Sequence, residues 1–334
     1  MTWDPAAPFD LGGRRVRTTF LDRLGPLRGR RQVQLPLMPL AWRLASRERY
    51  DVVVTSSHAC VKGFGPGRTA LHLCYCYTPM RYAWLTDVDQ RSRGRAVARA
   101  LAAPLAALRA WDRRSAAWVD EFAAISGSVR RRIERFYGRP ARVIYPPVDT
   151  DYFTPDPSVT RQDVVLAVSR MVPYKRLDLA IDAAAAAGVP LVLAGAGPQE
   201  AALRAHAAAA GARVRFVTRP DDAALRHLYR TARALIFPSV EDFGIVPVEA
   251  QACGTPVVAL AEGASLETVV DGATGVLVEA QEAAALAGGL EKALASPPDP
   301  DACRAHAEGF SRPRFVAEVH DWAATAAASR GFAL

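Results

Sequence analysis

The chain reads as an α/β protein whose C-terminal half is a doubly wound parallel sheet, and three observations predict this. From Val164 to Val278, short apolar runs alternate with helical patterns. A turn- and proline-rich stretch, Tyr145 to Pro157, separates this half from a patchier one. The run Ala234-Leu-Ile-Phe237 leads into Glu241-Asp-Phe-Gly-Ile-Val-Pro-Val-Glu249, which places two carboxylates at a strand-to-helix junction. Open α/β sheets bind their ligands at such junctions.

In the N-terminal half, strands are expected over 51–56, 70–75, 122–126 and 143–145. Helices fill 92–118 and 128–137, the second with Ser128 as its N-cap and Gly138 as its stop. The boundary falls near 147–160, where prolines and aspartates cluster. Beyond it, apolar strands are expected over 164–169, 191–194, 214–217, 234–237, 257–260 and 275–278. Helices are expected over 177–187 (closed by Gly188), 199–210 (closed by Gly211), 221–230, and from Val248 onward. Strands separated by helical patterns of about 10–15 residues make βαβ units and hence a parallel sheet.

At 334 residues the chain is long for one domain and sufficient for two, and half its residues are hydrophobic. We divide it into a domain over 1–150, a second over 160–310, and a closing helix over 311–330 expected to return toward the first. The five cysteines (Cys60, Cys74, Cys76, Cys253, Cys303) lack Cys-x-x-Cys spacing and read as reduced thiols of a cytosolic protein. Met1 to Asp10 has neither the basic nor the apolar region of a secretory leader. No run of about 18 apolar residues provides a spanning helix. A soluble or surface-bound protein is therefore expected.

Charge is unevenly placed. Residues 1–160 carry 26 Lys and Arg against 14 Asp and Glu, while the rest carry 16 against 20. A basic half and a mildly acidic half imply different partners. Only three cations are lysines, Lys62, Lys175 and Lys292, in a chain that otherwise uses arginine. Each invites the question of what arginine could not do there.

The chemistry concentrates at strand ends. Carboxylates such as Glu241 and Glu249 can accept hydroxyls of a sugar, and amides at a helix start can hold a phosphate. The strand ending at Ser169 delivers Arg170 and Lys175 to the same edge of the sheet as Glu241. Alone, an Arg-x4-Lys pair is an ordinary solvated loop. Beside two carboxylates, it supplies the fixed cations that stabilise a leaving diphosphate without a metal.

This combination, Arg170 and Lys175 followed by Glu241 to Glu249, resembles retaining glycosyltransferase family 4. The stretches Gly254-Thr-Pro-Val-Val and Gly263-Ala-Ser-Leu-Glu267 fit the same pattern. Upstream, Pro36-Leu-Met-Pro39, Tyr50-Asp51, Ser56-Ser-His58 and Thr78-Pro-Met-Arg-Tyr82 are similar to the O-antigen mannosyltransferase branch. The resemblance implies a GT-B fold: two Rossmann-like doubly wound domains facing a cleft, with the nucleotide sugar held mainly by the C-terminal one. It implies that Arg170 and Lys175 bind the donor diphosphate, Glu241 the sugar hydroxyls and Glu249 the ribose. The backbone around Phe243, Gly244 and Ile245 would meet the sugar and distal phosphate. Transfer would retain configuration, need no metal or other cofactor, and use the leaving phosphate to deprotonate the acceptor. The implied donor is GDP-mannose or a UDP- or dTDP-hexose, and the implied acceptor a lipid-linked glycan of cell-surface polysaccharide synthesis.

Two departures stand out. No strand precedes Leu11-Gly12-Gly13, so the first domain reads as shortened and these glycines as a turn rather than a phosphate loop. Tyr77 stands where the family has histidine before Thr-Pro, and Leu85 where the branch has aspartate. These features keep open an alternative, a catalytically impaired sugar-nucleotide-binding relative. His58, Tyr77 and Arg81 are the candidate cleft residues of this domain, although His58 also fits an ordinary packed histidine. Gly195-Ala-Gly197-Pro is half a dinucleotide fingerprint, with Glu200 at the third glycine position, and supports no NAD reading. Asp221-Asp222 most simply begins a helix. Arginines 91, 93, 95, 99, 109, 113 and 114, then 130, 131, 132 and 135, form either a solvated face or a patch for anionic lipid. The resemblance favours the membrane, placing the protein in the cytoplasm or on the inner face of the plasma membrane. No aromatics interleave these arginines to stack bases, so nucleic acid is not expected.

Overall fold

The structure is a computed structural model that describes residues 18–23, 34–45, 49–65, 69–84 and 95–331. Leu11-Gly12-Gly13, Leu85, Arg91 and Arg93 lie outside the described residues. The chain divides into two compact units: Met1–Ile125 with Val129–Val143 and His320–Leu334, and Ser126–Ser128 with Ile144–Val319.

The first unit is built on a parallel sheet of four strands in sequence order: β1 (Tyr50–Ser57), β2 (Thr69–Cys76), β3 (Glu121–Ala124) and β4 (Ala141–Val143). From Leu71 to Cys76, β2 is buried on both faces, as a central parallel strand must be. Around the sheet lie α1 (Met38–Arg43), α2 (Arg81–Trp84), α3 (Arg95–Ala116) and α4 (Gly127–Tyr137).

Two expectations shift here. The fourth strand runs over 141–143, not 143–145. It ends opposite Ala124, the last residue of its partner, and Pro146 and Pro147 cannot donate to a ladder. Helix α4 starts at Gly127, so Ser128 is inside it rather than its cap. Its first amides, on Gly127 and Ser128, donate instead to the Glu267 carboxylate at 2.7 and 3.3 Å, a cap supplied 140 residues downstream.

The second unit holds six parallel strands: β5 (Val165–Val168), β6 (Leu191–Gly195), β7 (Val214–Thr218), β8 (Ala234–Phe237), β9 (Val257–Leu260) and β10 (Gly275–Val278). Their spatial order is β10-β9-β8-β5-β6-β7. The chain therefore builds outward from β5 to β7, then returns to the other side of β5 and builds outward again. The reversal lies between β5 and β8. The core beneath is aliphatic and alanine-rich, with Leu166, Ile181, Leu193, Ile236 and Leu290 fully buried.

Crossover helices are α5 (Leu177–Ala186), α6 (Glu200–Ala209), α7 (Asp222–Thr231), α8 (Ile245–Ala252) and the short α9 (Ser265–Thr268). The Asp221 carboxylate accepts from the Ala224 amide at 2.8 Å and caps α7. Helix α8 begins at Ile245, three residues before the expected Val248. Gly244, at φ +82°, turns the chain into it, and Pro247 falls in the first turn, where no intrahelical donor is missed. Three helices close the chain: α10 (Ala283–Ala295), α11 (Pro300–Glu308) and α12 (Arg312–Ala328). From His320 onward α12 groups with the first unit, where the Trp322 indole donates to Glu121 at 2.9 Å. All five cysteines are free and buried. Burial pushes the thiols of Cys60, Cys253 and Cys303 up to about 12, so they stay protonated.

Candidate active site

The strand reversal between β5 and β8 defines the crevice in which doubly wound sheets bind ligands. The loops leaving these two strands carry Arg170, Lys175 and Glu241. After β5 the chain passes exposed Arg170 and fully buried Met171 before a 3-10 turn, Pro173–Lys175. The Arg170 loop is pinned to the β6 loop by three backbone bonds: Ser169 to Ala194, Met171 to Ala196, and Gln199 to Met171, at 2.9–3.1 Å. Gly195-Ala-Gly197 thus acts as packing for this loop, and a Cβ at Gly195 would collide with the Ser169 carbonyl.

Lys175 and Glu241 meet directly, Nζ to Oε1 at 2.5 Å, with side chains 14% and 16% exposed. The Lys175 ammonium also lies 5.5 Å from the centre of the Tyr174 ring, whose hydroxyl accepts from Arg170 at 2.6 Å. The backbone of Glu241 is held by a bond from the Ala264 amide to its carbonyl at 3.2 Å. Gly263, at φ +68°, passes so close that a Cβ would lie 2.8 Å from that carbonyl. Cations and a carboxylate are therefore fixed at one point of the sheet edge.

Phe243 is buried, 6.0 Å from Tyr145 and 5.7 Å from Phe310 between ring centres. Its anchorage sets the turn at Gly244 and leaves Ile245 exposed at the start of α8. Glu249 lies one turn into α8, where its carboxylate accepts from the Tyr229 hydroxyl at 2.8 Å. Burial holds the Glu249 carboxyl above its usual range; the Tyr229 bond acts in the opposite sense and Asp222 adds to the rise. Tyr229, Tyr174 and Gly263 were not singled out by sequence reasoning. Gly263 left a trace there in the stretch Gly263 to Glu267, and Tyr174 lies in the stretch from Arg170 to Lys175.

The other candidates belong to the first unit. Ser57 and Cys76 pair across β1 and β2, so His58 and Tyr77 leave the sheet at the same C-terminal level. Tyr77 is 39% exposed, accepts from the Ser56 hydroxyl at 3.0 Å and stands edge-on to Tyr75. His58 is exposed, and Arg81 opens α2 half-buried. The arginine-rich surface is partly structural. Arg109 donates to the Ala83 carbonyl, Arg113 stacks 4.8 Å from the centre of the Trp84 ring, and Arg132 reaches Thr78. Arg130, Arg131 and Arg135 remain exposed. Among the described residues no helix is long and apolar enough to cross a membrane, and no three His, Cys, Asp or Glu side chains gather as metal ligands.

Lys62 was flagged by its rarity. It is fully buried in the first unit and paired with Asp112.

Residues 149–310 match the family model "Glycosyl transferases group 1", and residues 3–152 match "Glycosyltransferase Family 4". The chain is 39% identical over 207 residues to a D-inositol 3-phosphate glycosyltransferase of Mycobacterium avium, covering 54% of this chain and 49% of that protein. It is 38% identical over 175 residues to the Mycobacterium tuberculosis protein of the same name, covering 46% and 36%. The chain thus spans about half the length, or less, of the curated relatives it matches. In fold it is similar to sucrose-phosphate synthase from Thermosynechococcus elongatus (TM-score 0.72, 22% identity, 89% of this chain and 79% of that one). It is also similar to Anabaena HepE in complex with UDP (TM-score 0.62, 21% identity, 76% and 79%). End to end, the two family models account for residues 3–310: a Glycosyltransferase Family 4 match followed by a group 1 match, in a GT-B-like fold of two parallel-sheet α/β domains.

Proposed function

We propose that the protein transfers a hexose from a nucleotide sugar to a hydroxyl acceptor, with retention of configuration and without a metal. The observation that carries this reading is the convergence of Arg170, Lys175 and Glu241 on the strand reversal of the second sheet. Arg170 and Lys175 neutralise the charge that grows on the leaving diphosphate. Glu241 takes the sugar hydroxyls, Glu249 the ribose, and the amides opening α8 the distal phosphate. The bond from the anomeric carbon to the phosphate oxygen breaks as the bond to the acceptor oxygen forms on the same face. The acceptor's proton passes to the released phosphate.

Similar folds have been crystallised with UDP and UDP-glucose, and the curated relatives are named for an inositol phosphate acceptor. These names support a nucleotide-sugar donor. For this chain we propose UDP-, dTDP- or GDP-hexose, GDP-mannose included, and a lipid-linked glycan acceptor at the cytoplasmic face of the membrane. Exposed Arg130, Arg131 and Arg135 would face anionic headgroups there. Salt-sensitive sedimentation with anionic vesicles tests that placement, and binding that ignores salt counts against it.

Isothermal calorimetry against UDP-, GDP- and dTDP-sugars tests the donor reading. One donor is expected to bind in the micromolar range or tighter, and binding of none overturns the proposal. Tyr77, a phenol engaged by Ser56 where family 4 carries histidine, favours a second reading as a donor-binding relative without turnover. Release of nucleoside diphosphate from the bound donor, with sugar appearing on a lipid extract or in water, excludes it.

A further inference from the structure

Lys175 and Glu241 serve opposite ends of one donor in the reading above, the cation its diphosphate and the carboxylate its sugar. In the structure they bind each other, at 2.5 Å and mostly out of water. Among the described residues neither has a second oppositely charged partner. Their backbones are fixed independently, Lys175 by its 3-10 turn and Glu241 by Gly263 and Ala264, so only the side chains can separate. Arg170 differs: it is exposed and bonded to a neutral phenol.

We propose that the Lys175–Glu241 pair masks the donor site, so that a nucleotide sugar opens it more readily than a nucleoside diphosphate. The proposal rests on the donor reading given above. A diphosphate arriving without sugar must pull the ammonium from its carboxylate. It then leaves Glu241 half-buried, unpaired and close to the phosphate charge, an arrangement that repels. A sugar brings hydroxyl donors to that carboxylate and compensates it. Arg170, unmasked, supplies the first foothold for phosphate. After transfer the sugar leaves with the acceptor, Glu241 again lacks a partner, and re-formation of the pair helps expel the product. The mask thus discriminates the loaded donor from the spent one without any contact to the base.

The test measures binding of UDP-, GDP- and dTDP-sugars, of UDP, GDP and dTDP, and of inorganic pyrophosphate to the wild type and to Glu241→Gln, Lys175→Gln and Arg170→Ala. Glu241→Gln is expected to bind the preferred nucleoside diphosphate tighter, on the order of tenfold, because the ammonium is free and the repelling charge is gone. The gap between nucleotide sugar and nucleoside diphosphate should shrink with it. Lys175→Gln is expected to weaken diphosphate binding far less than Arg170→Ala does, because the ammonium's gain is offset by the pair it abandons. In the Glu241→Gln background the same lysine change should cost more, a coupling that a double-mutant cycle reads directly.

If the wild type binds none of the nucleotide sugars, the donor reading fails; if it binds a nucleoside diphosphate as tightly as the matching nucleotide sugar, the mask is overturned and the donor reading stands. If the wild type binds a nucleoside diphosphate more weakly and a cooperatively melting Glu241→Gln binds it no tighter, the mask is overturned and the donor reading stands. If Glu241→Gln does not fold, Lys175→Gln decides: a loss as large as that of Arg170→Ala overturns the mask.

Discussion

Two of the three lysines form ion pairs with a carboxylate, one in each unit, and their surroundings give them opposite roles. In the first unit Lys62 and Asp112 are fully buried, 1% and 0% exposed, and both carboxylate oxygens are engaged. Asp112 accepts from Lys62, from the Trp84 indole at 2.8 Å and from the Tyr137 hydroxyl at 2.7 Å. Lys62 also donates to the Ala59 carbonyl and lies within 6 Å of the Trp111 and Tyr137 rings. In the second unit Lys175 and Glu241 keep open faces and open valences at a strand reversal. The same two functional groups form a lock where the protein supplies the surrounding partners, and, in the proposed donor site, a pair that leaves some for a ligand. Completeness of the shell decides the role, more than the ion pair itself.

The largest expected effect is at the lock. Asp112→Ala strands a buried ammonium and two donors, and should cost about 3–5 kcal/mol. Urea unfolding followed by tryptophan fluorescence, with Trp84 and Trp111 beside the pair, reads this loss in the first unit. Lys62→Met combined with Asp112→Leu should recover much of it, because removing both charges removes the desolvation cost. A single-variant loss below about 1 kcal/mol would mean that water enters the site and that the contrast with Lys175–Glu241 is false.

A smaller effect is expected behind Glu241. Gly263→Ala forces a Cβ to within 2.8 Å of the Glu241 carbonyl and 2.9 Å of Val240 Cγ1, in a left-handed backbone conformation. A loss of about 1–3 kcal/mol is expected, comparable to other strained or overpacked positions. Donor affinity should fall with it, because the displaced backbone carries the carboxylate. Unchanged donor affinity in a destabilised variant would separate the position of Glu241 from the integrity of the turn.

How much of this was legible depends on whether a feature is local. Ala234–Phe237, Val257–Leu260 and Gly275–Val278 were placed to the residue, because each is a continuous apolar run bounded by turn formers. Arg170, Lys175 and Glu241 were legible as a set because βαβ alternation delivers all strand ends to one edge. The partners were not legible. Lys175 and Glu241 are 66 residues apart, Lys62 and Asp112 are 50 apart, and Tyr229 and Glu249 are 20 apart. No periodicity links such positions; packing brings them together. The start of α8 was misplaced for the same reason. Gly244 and Pro247 look like breakers in sequence, yet one enters the helix and the other occupies its first turn. The cap of α4 comes from Glu267, which no local pattern near Ser128 announces.

Glu249 shares features of both pairs and sharpens the comparison with the smallest effect. It is mostly buried like Asp112, but a single phenol, Tyr229, replaces the ion pair. Its carboxyl is therefore raised above the ordinary range, first by burial and then by Asp222. A carboxyl raised in the folded state favours folding most while protonated, below its unfolded value of 4.5, and loses that advantage as pH rises through the folded value. Glu249→Gln keeps an acceptor for Tyr229 and removes the charge. The variant should therefore melt slightly higher than the wild type at pH 7–8, with the difference vanishing as pH falls toward 4. Its nucleotide-sugar affinity should fall over the same neutral range, because a neutral amide accepts ribose hydroxyls less strongly than a carboxylate. A variant that melts lower at pH 8 would show that the Glu249 charge is compensated in the fold, which would align it with the Lys62–Asp112 lock rather than with the ligand site.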